Sequence, residues 1–343
     1  MLAELTKEQL LPAGFTARPA TMADLETAVS LMNACSRDMV GQDEHNVADT
    51  KMEWTQEKFN METNTRLVFS PQGELVGYLE IWDLHAVPVH PWIWGRVHPQ
   101  FEGLGIGTYL LQYAEERVKL AVDRIPEDAQ LSMRCGCLST HEPAKQLLID
   151  FGMKPIRYFW TMLIDIDEQP EFPEWPEGIT IHTFADKNDL VKLMRADEEA
   201  FQDHWGYVSA PEEERLKDWQ DWIAKDSKFD PTLWFLAMDG DEIAGISLCR
   251  IDSWNNPDWG WVDDLAVRRP WRRRGVALAL LKHSFAELYR RGKKSVGLGV
   301  DAQSLTGATC LYEKAGMHVY REYQNFDKVL RPGRDLSTQT VEE

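Results

Sequence analysis

Two short stretches of this chain hold the residue types from which an anion site can be built. They are Glu102-Gly103-Leu104-Gly105-Ile106-Gly107 and Arg272-Arg273-Arg274-Gly275-Val276-Ala277, each placed between a strand-like run that stops at a proline and an amphipathic helical pattern. A glycine-bearing turn entering a helix lets backbone N–H groups close on an anion, and the open first turn and its dipole favour negative charge. Such a turn suits a pyrophosphate. Arg272, Arg273 and Arg274 add three cationic side chains to the second copy, although the same string also serves as a tight connection with its arginines solvated. Two familiar phosphate loops do not fit. No GxxxxGK[ST] string occurs, and Gly103, Gly105 and Gly107 lack the final glycine of GxGxxG and follow a hairpin instead of opening a βαβ unit.

The elements that must position these turns run through one programme twice. A short strand (Phe15–Arg18; Ile179–His182) precedes helical spacing (Ala23–Asn33; Leu190–Phe201) and a second helix (Lys51–Glu62; Glu212–Ala224). A hairpin follows, over Arg66–Phe69 with Glu74–Trp82 and over Leu233–Met238 with Glu242–Arg250. Its glycines, Gly77 and Gly245, lie 168 residues apart, and Gly105 and Gly275 lie 170 apart. After the glycine turn come a helix, a strand (Gln130–Arg134; Ser295–Val300), a short helix and matching endings, Leu147-Leu148-Ile149-Asp150-Phe151-Gly152-Met153 and Leu311-Tyr312-Glu313-Lys314-Ala315-Gly316-Met317. Near-constant separations identify an internal repeat. Between the copies, residues 167–178 hold three prolines and four glutamates, which excludes helix interior and central strand. The expected domains are therefore 1–166 and 179–343, with 167–178 as linker.

Composition narrows the function classes. With 343 residues, 43% hydrophobic and 27% charged, the chain suits two globular domains. Its net charge of −19 disfavours nucleic acid and anionic membrane surfaces as partners, since both need a surplus of Lys and Arg. Acidity gives solubility, and its sharper reading is attraction of a cationic amine. The five cysteines (Cys35, Cys135, Cys137, Cys249, Cys310) form no disulfide framework or zinc spacing and read as buried free thiols, with no metal site expected. The start, MLAELTKEQLLPAGF, has no basic region followed by an apolar core, and no run is long enough to span a membrane, so a cytoplasmic protein is expected.

The string VRRPWRRRGVALALL resembles the acyl-CoA motif of the GNAT N-acetyltransferase superfamily, [RQ]-x-x-G-x-[GA] after a strand ending in Val-x-Pro, met by Arg272, Gly275 and Ala277. VDAQSLTGATCLYEKAGM resembles the family's last motif. The resemblance spans residues 14 to 166 and 179 to 331 as a tandem pair similar to mycothiol synthase-like acetyltransferases, departing from them at Ser304, where asparagine is common. It implies an α+β (mixed α/β) fold of two GNAT domains, each a mostly antiparallel central sheet flanked by helices. It also implies an N-acetyltransferase that uses acetyl-CoA as co-substrate and acts on a small-molecule amine in a ternary complex, as a monomer or homodimer. Pyrophosphate would meet the amides of Arg273, Arg274, Gly275, Val276 and Ala277, with pantetheine along Leu265, Ala266 and Val267 and a main-chain N–H near Val267 polarising the thioester. Tyr312 would protonate the thiolate, and Asp263 or Asp264 is the candidate base, strand alternation turning only one of them to the groove.

Glu102 stands where the second half has Arg272, and Leu148 where it has Tyr312, so catalysis is assigned to the second half. The first half would keep backbone-only CoA binding through Gly103, Gly105 and Gly107 or act as a packing partner. His204 could line the acceptor groove, or Trp205 could pack that loop. Of fourteen tryptophans, Trp254, Trp259, Trp261 and Trp271 flank the key strand, as core or as an aromatic wall for an amine. The rival from another class is a non-catalytic acyl-CoA binding or sensing protein.

Overall fold

In the computed structural model the described residues are 11–253 and 256–340; the stretch before Leu11 and Trp254, both singled out above, lie outside them. The first copy opens with β1 (Thr16–Arg18) and α1 (Leu25–Val40), whose inward face carries Leu25, Ala28, Val29, Leu31, Met32 and Cys35. The helix extends past the expected Asn33 until Gly41, at φ 79°, ends it. The expected helix over Lys51–Glu62 is two pieces, α2 (Val47–Trp54) and α3 (Met61–Asn64). Each starts on an asparagine cap, Asn46 accepting from the Asp49 N–H and Asn60 from the Glu62 N–H. β2 (Thr65–Phe69), β3 (Leu75–Trp82), β4 (Trp92–Val97), α4 (Ile106–Lys119), β5 (Leu131–Leu138), α5 (Glu142–Asp150) and β6 (Lys154–Asp165) follow.

The second copy repeats the order as β7 (Ile179–Thr183), α6 (Phe184–Lys187), α7 (Leu190–Phe201), α8 (Glu212–Lys225), β8 (Trp234–Asp239), β9 (Glu242–Arg250), β10 (Trp259–Val267), α9 (Val276–Arg290), β11 (Ser295–Asp301), α10 (Ala308–Lys314) and β12 (His318–Arg331). Within each unit the named strands pair antiparallel except for β4 with β5 and β10 with β11, as a mostly antiparallel mixed sheet requires.

The chain forms two compact units: the residues up to Ile156 with Tyr323–Leu336, and Arg157–Glu322 with the residues from Ser337 on. These units depart from the expected division at 167–178 in their closing strands. In the first unit Tyr323–Arg331 of β12 pairs with β5, and in the second Phe159–Asp165 of β6 pairs with β11. Each copy's last strand thus completes the other copy's sheet. β5 and β11 are equivalent edges whose N–H and C=O groups need an antiparallel partner, and the repeat shows which strand comes last but holds no record of which edge it takes.

In the second unit, Leu280, Leu281, Phe285 and Leu288 of α9 pack on one face of the sheet against Phe235, Val262, Val296 and Leu298. On the other face Leu193, Ala196 and Ala200 of α7 meet Leu236, Ile246, Leu248 and Ala266. Full burial of such aliphatic or aromatic side chains contributes about 1.5–3 kcal/mol each, so α7, β10 and the N-terminus of α9 are held in fixed register. Gly245 allows this: a Cβ there would sit 2.9 Å from the Ala266 carbonyl oxygen, as one on Gly77 would sit 2.9 Å from Ile106 Cγ2 in the first unit. Cys35, Cys135 and Cys249 are buried free thiols as expected, whereas Cys137 is half-buried and Cys310 exposed. No helix among the described residues is long and apolar enough to cross a membrane.

Candidate active site

The β10–β11 ladder holds only from Trp259–Val262 against Ser295–Leu298. Beyond it β10 carries a bulge between Val262 and Asp264 and stays paired with β9 alone through Val267. Leu265, Ala266 and Val267 therefore lie on the part of β10 that has left β11, and a bulge re-aims side chains where it interrupts a ladder. A short turn over Arg269–Trp271 then leads to Arg272, Arg273 (φ 63°) and Gly275 (φ 88°), which starts α9 without a side-chain cap. The first helical bond runs from the Ala279 N–H to the Gly275 carbonyl. The N–H groups of Val276 and Ala277 are thus open to an anion at the helix's positive end. A Cβ on Gly275 would meet nothing nearer than Pro176 Cγ at 3.9 Å, so its role is conformational.

Arg272 does other work than expected of its side chain. Its Nε donates to the Val267 carbonyl at 2.9 Å, Nη1 to Asp203 Oδ2 at 2.6 Å and Nη2 to the Ala200 carbonyl at 3.1 Å, tying the turn to the end of α7. Arg269 also grips Asp203 through both Nε and Nη2. The Arg269 hydrogen bonds, joined by those of Arg272, hold the Asp203 carboxyl down at about 2 against the cost of burial. Asp203 was missed in the sequence because its partners lie far along the chain; the neighbouring His204 drew attention instead. Burial, then Arg272, lowers the His204 pKa, and its ring stands edge-on to Phe201. Trp205 donates to Gln339 at 2.9 Å with Arg157 over its ring. Arg274 reaches the Glu177 carbonyl at 3.5 Å and Asp239 at 3.9 Å.

Tyr312 projects from α10 into the core, 6% exposed. Its hydroxyl makes no hydrogen bond among the described residues and is not one of the sealed, unpaired polar atoms. Burial, then the charge of Asp264, pushes it up to about 12. Asp264, half-buried, is itself pushed up to about 6 by burial. Asp264 is thus the carboxylate set beside Tyr312, while Asp263 is exposed at the bulge. Asp197 of α7, absent from the sequence reading, lies close enough to Asp264 that burial and then Asp264's charge raise its pKa. Trp261 lies on Gly297, Trp271 donates to Asp239 at 2.8 Å, and Trp259 meets Tyr320 edge-on, so all three are packing residues here.

An open helix start after a bulged, splayed strand, with a lone phenol and a raised carboxyl beside it, is a site for charge developing on an acyl group. The family model of the acetyltransferase (GNAT) family matches residues 29–125 and 190–317. The chain belongs to the GNAT acetyltransferase family. One matched segment falls within each copy, so this is a tandem GNAT protein and an N-acetyltransferase by family. It is similar to mycothiol acetyltransferases: 30% identical to that of Geodermatophilus obscurus over 64% of this chain and 68% of the relative, and 28% to that of Streptomyces bingchenggensis over 74% and 77%. A GCN5-related N-acetyltransferase structure from Sphaerobacter thermophilus superposes with a TM-score of 0.80 at 36% identity, covering 96% of this chain and all of that one. A tandem GNAT protein from the clavulanic acid pathway shares the fold at a TM-score of 0.67 and 14% identity, covering 93% of this chain and all of that one.

In the first GNAT copy, Glu102 lies 3.8 Å from His141, and Leu148 is buried in the place of Tyr312. Gly103 and Gly105 adopt φ 74° and 84° in open space. Gly107 answers to packing: a Cβ there would stand 2.6 Å from Leu147 Cδ2.

Proposed function

We propose that the second half transfers the acetyl group of acetyl-CoA to a primary amine of a small molecule by direct attack in a ternary complex. The observation that carries this reading is the unpartnered Tyr312 hydroxyl beside Asp264 at the splay of β10. The backbone N–H groups from Arg273 to Ala277 hold the pyrophosphate, and the edge of Leu265–Val267 holds the pantetheine. A main-chain N–H near Val267 polarises the thioester carbonyl. Asp264, at about 6, is matched to accept the ammonium proton near neutral pH. The amine nitrogen then bonds to the carbonyl carbon, the C–S bond breaks, Tyr312 gives its proton to the leaving thiolate, and the second proton shed by the acylated nitrogen restores the phenol. The two steps are coupled. Asp264's negative charge is part of what holds Tyr312 high, so neutralising Asp264 makes the phenol a better acid when it is needed.

The first half acts without catalysis. Its turn repeats the backbone of the second, which favours backbone-only CoA binding, but Leu148 has no proton to give. Partners are the amine acceptor alone, without nucleic acid or membrane, in a cytoplasmic monomer or homodimer. The test is release of free thiol from acetyl-CoA across polyamines, aminoglycosides, amino acids and peptides. Amine-dependent release is expected; acetyl-CoA binding with no release for any amine would leave the sensing protein as the better account.

A further inference from the structure

Buried carboxylates in the second unit are normally paired. Asp203 is held by Arg269 and Arg272, and Asp226 accepts from Arg250 Nη1 at 2.7 Å. Asp197 breaks this pattern: its Oδ1 is sealed from solvent without a hydrogen-bond partner, on a helix that packs against β10. Arg215 of α8 offsets its charge in part but is ion-paired to Glu198, which also accepts from the Tyr207 hydroxyl at 2.7 Å. Asp264 likewise has no ion pair among the described residues, and it faces Asp197 from β10. A half-buried carboxylate with a sealed, unpartnered oxygen is costly, and a second carboxylate near it adds to the cost. A cation between them would relieve both.

We propose that Asp197 and Asp264 form a two-carboxylate seat for the ammonium group of the acceptor, with Asp197 holding the cation while Asp264 takes its proton. This rests on the acyl-transfer reading above and adds to it that the substrate enters charged, as a primary ammonium. It also makes Asp197 a substrate-binding residue contributed by α7, the helix on the face of the sheet away from α9. The groups facing Asp197 are Asp264, Arg215 and, on its own helix, Glu198.

The test uses the full-length protein with propylammonium chloride as probe, against propanol with matched sodium chloride. Propylammonium should raise the Tm of the wild type more than propanol does, and Asp197→Asn and Asp264→Asn should each abolish the difference. Without probe, Asp197→Asn should unfold about 2 °C or more above the wild type at pH 8, the gain shrinking as pH falls toward the ordinary carboxylate range. The sign follows from a folded-state pKa above the unfolded one: the ionised form costs stability at high pH and nothing once protonated. In thiol-release kinetics the acceptor KM of Asp197→Asn should rise at least roughly tenfold with donor KM nearly constant. Equal protection by propanol, or protection and KM unchanged in Asp197→Asn, would overturn the seat while leaving acyl transfer standing. Asp197-dependent protection in a protein that turns over no amine would support the seat and sink the acyl-transfer reading.

Discussion

The two strand-turn-helix steps have nearly the same backbone and opposite chemistry. Glu102 and Arg272 have φ, ψ of −63°, 155° and −64°, 154°; Gly105 and Gly275 have 84°, 0° and 88°, −3°. Even the closing motif agrees: the Met153 N–H reaches the Leu148 carbonyl, and the Met317 N–H the Tyr312 carbonyl, both at 3.0 Å. Side chains diverge on this shared frame. The carbonyl of the valine that ends the strand accepts from Arg272 Nε in the second copy and from Cys35 Sγ at 3.3 Å in the first. The β3–β4 ladder has no bulge where β9–β10 does, and Glu80 of the first copy is tied down by Tyr78 and Trp82 at 2.5 and 2.9 Å. Duplication kept the path of the chain, while the free phenol and unpaired carboxylates stand in the second copy. Backbone geometry alone therefore does not make an acyltransferase.

The largest effect that would sharpen this contrast concerns Asp203. Removing a buried carboxylate that two guanidiniums share takes from each its carboxylate partner, so Asp203→Ala should lose about 2–3 kcal/mol of stability in denaturant unfolding. Its counterpart perturbation, Glu102→Ala on an exposed pair 3.8 Å from His141, should stay within about 0.5 kcal/mol. Because the folded-state pKa of Asp203 lies near 2, below its unfolded value, its contribution is present above the ordinary carboxylate range and fades as pH drops through that range toward 2. Asp203→Asn should therefore lose its deficit in acid. An Asp203→Ala as stable as Glu102→Ala would show that the turn does not depend on α7.

A smaller effect is expected at Arg273. A non-glycine residue at φ 63° carries strain of roughly 1 kcal/mol, where the first copy has Gly103 at 74°. Arg273→Gly should stabilise the fold by about that much in thermal unfolding and, in the proposed mode of CoA binding, weaken acetyl-CoA affinity several-fold in calorimetry through loss of a cation beside the turn. Binding unchanged would make Arg273 a mere variant of Gly103.

Much of this was legible because backbone requirements leave residue-type marks. Glycine at Gly105 and Gly275, proline after the strand and the apolar stripe of α9 gave the turn and its helix, and the Tyr312 and Leu148 pair gave the asymmetry. What stayed hidden depends on contacts between distant segments. Asp203 and Asp197 are ordinary acidic residues until α7 is laid on β10. The tie from Arg272 to Asp203 spans 69 residues, and nothing in its string separates a phosphate ligand from a structural clamp. The exchange of β6 and β12 was hidden for the same reason.

The central claim is that acyl transfer needs the Tyr312 proton and not the frame both halves share. Single-turnover acetyl transfer by Tyr312→Phe, compared with wild type and Leu148→Phe at saturating acetyl-CoA, tests it most directly. Tyr312→Phe keeps the ring and its packing, so donor affinity should hold while the chemical rate falls at least roughly tenfold, about 1.4 kcal/mol of transition-state stabilisation; Leu148→Phe should leave the rate nearly intact. A Tyr312→Phe that transfers acetyl at the wild-type rate would contradict the account.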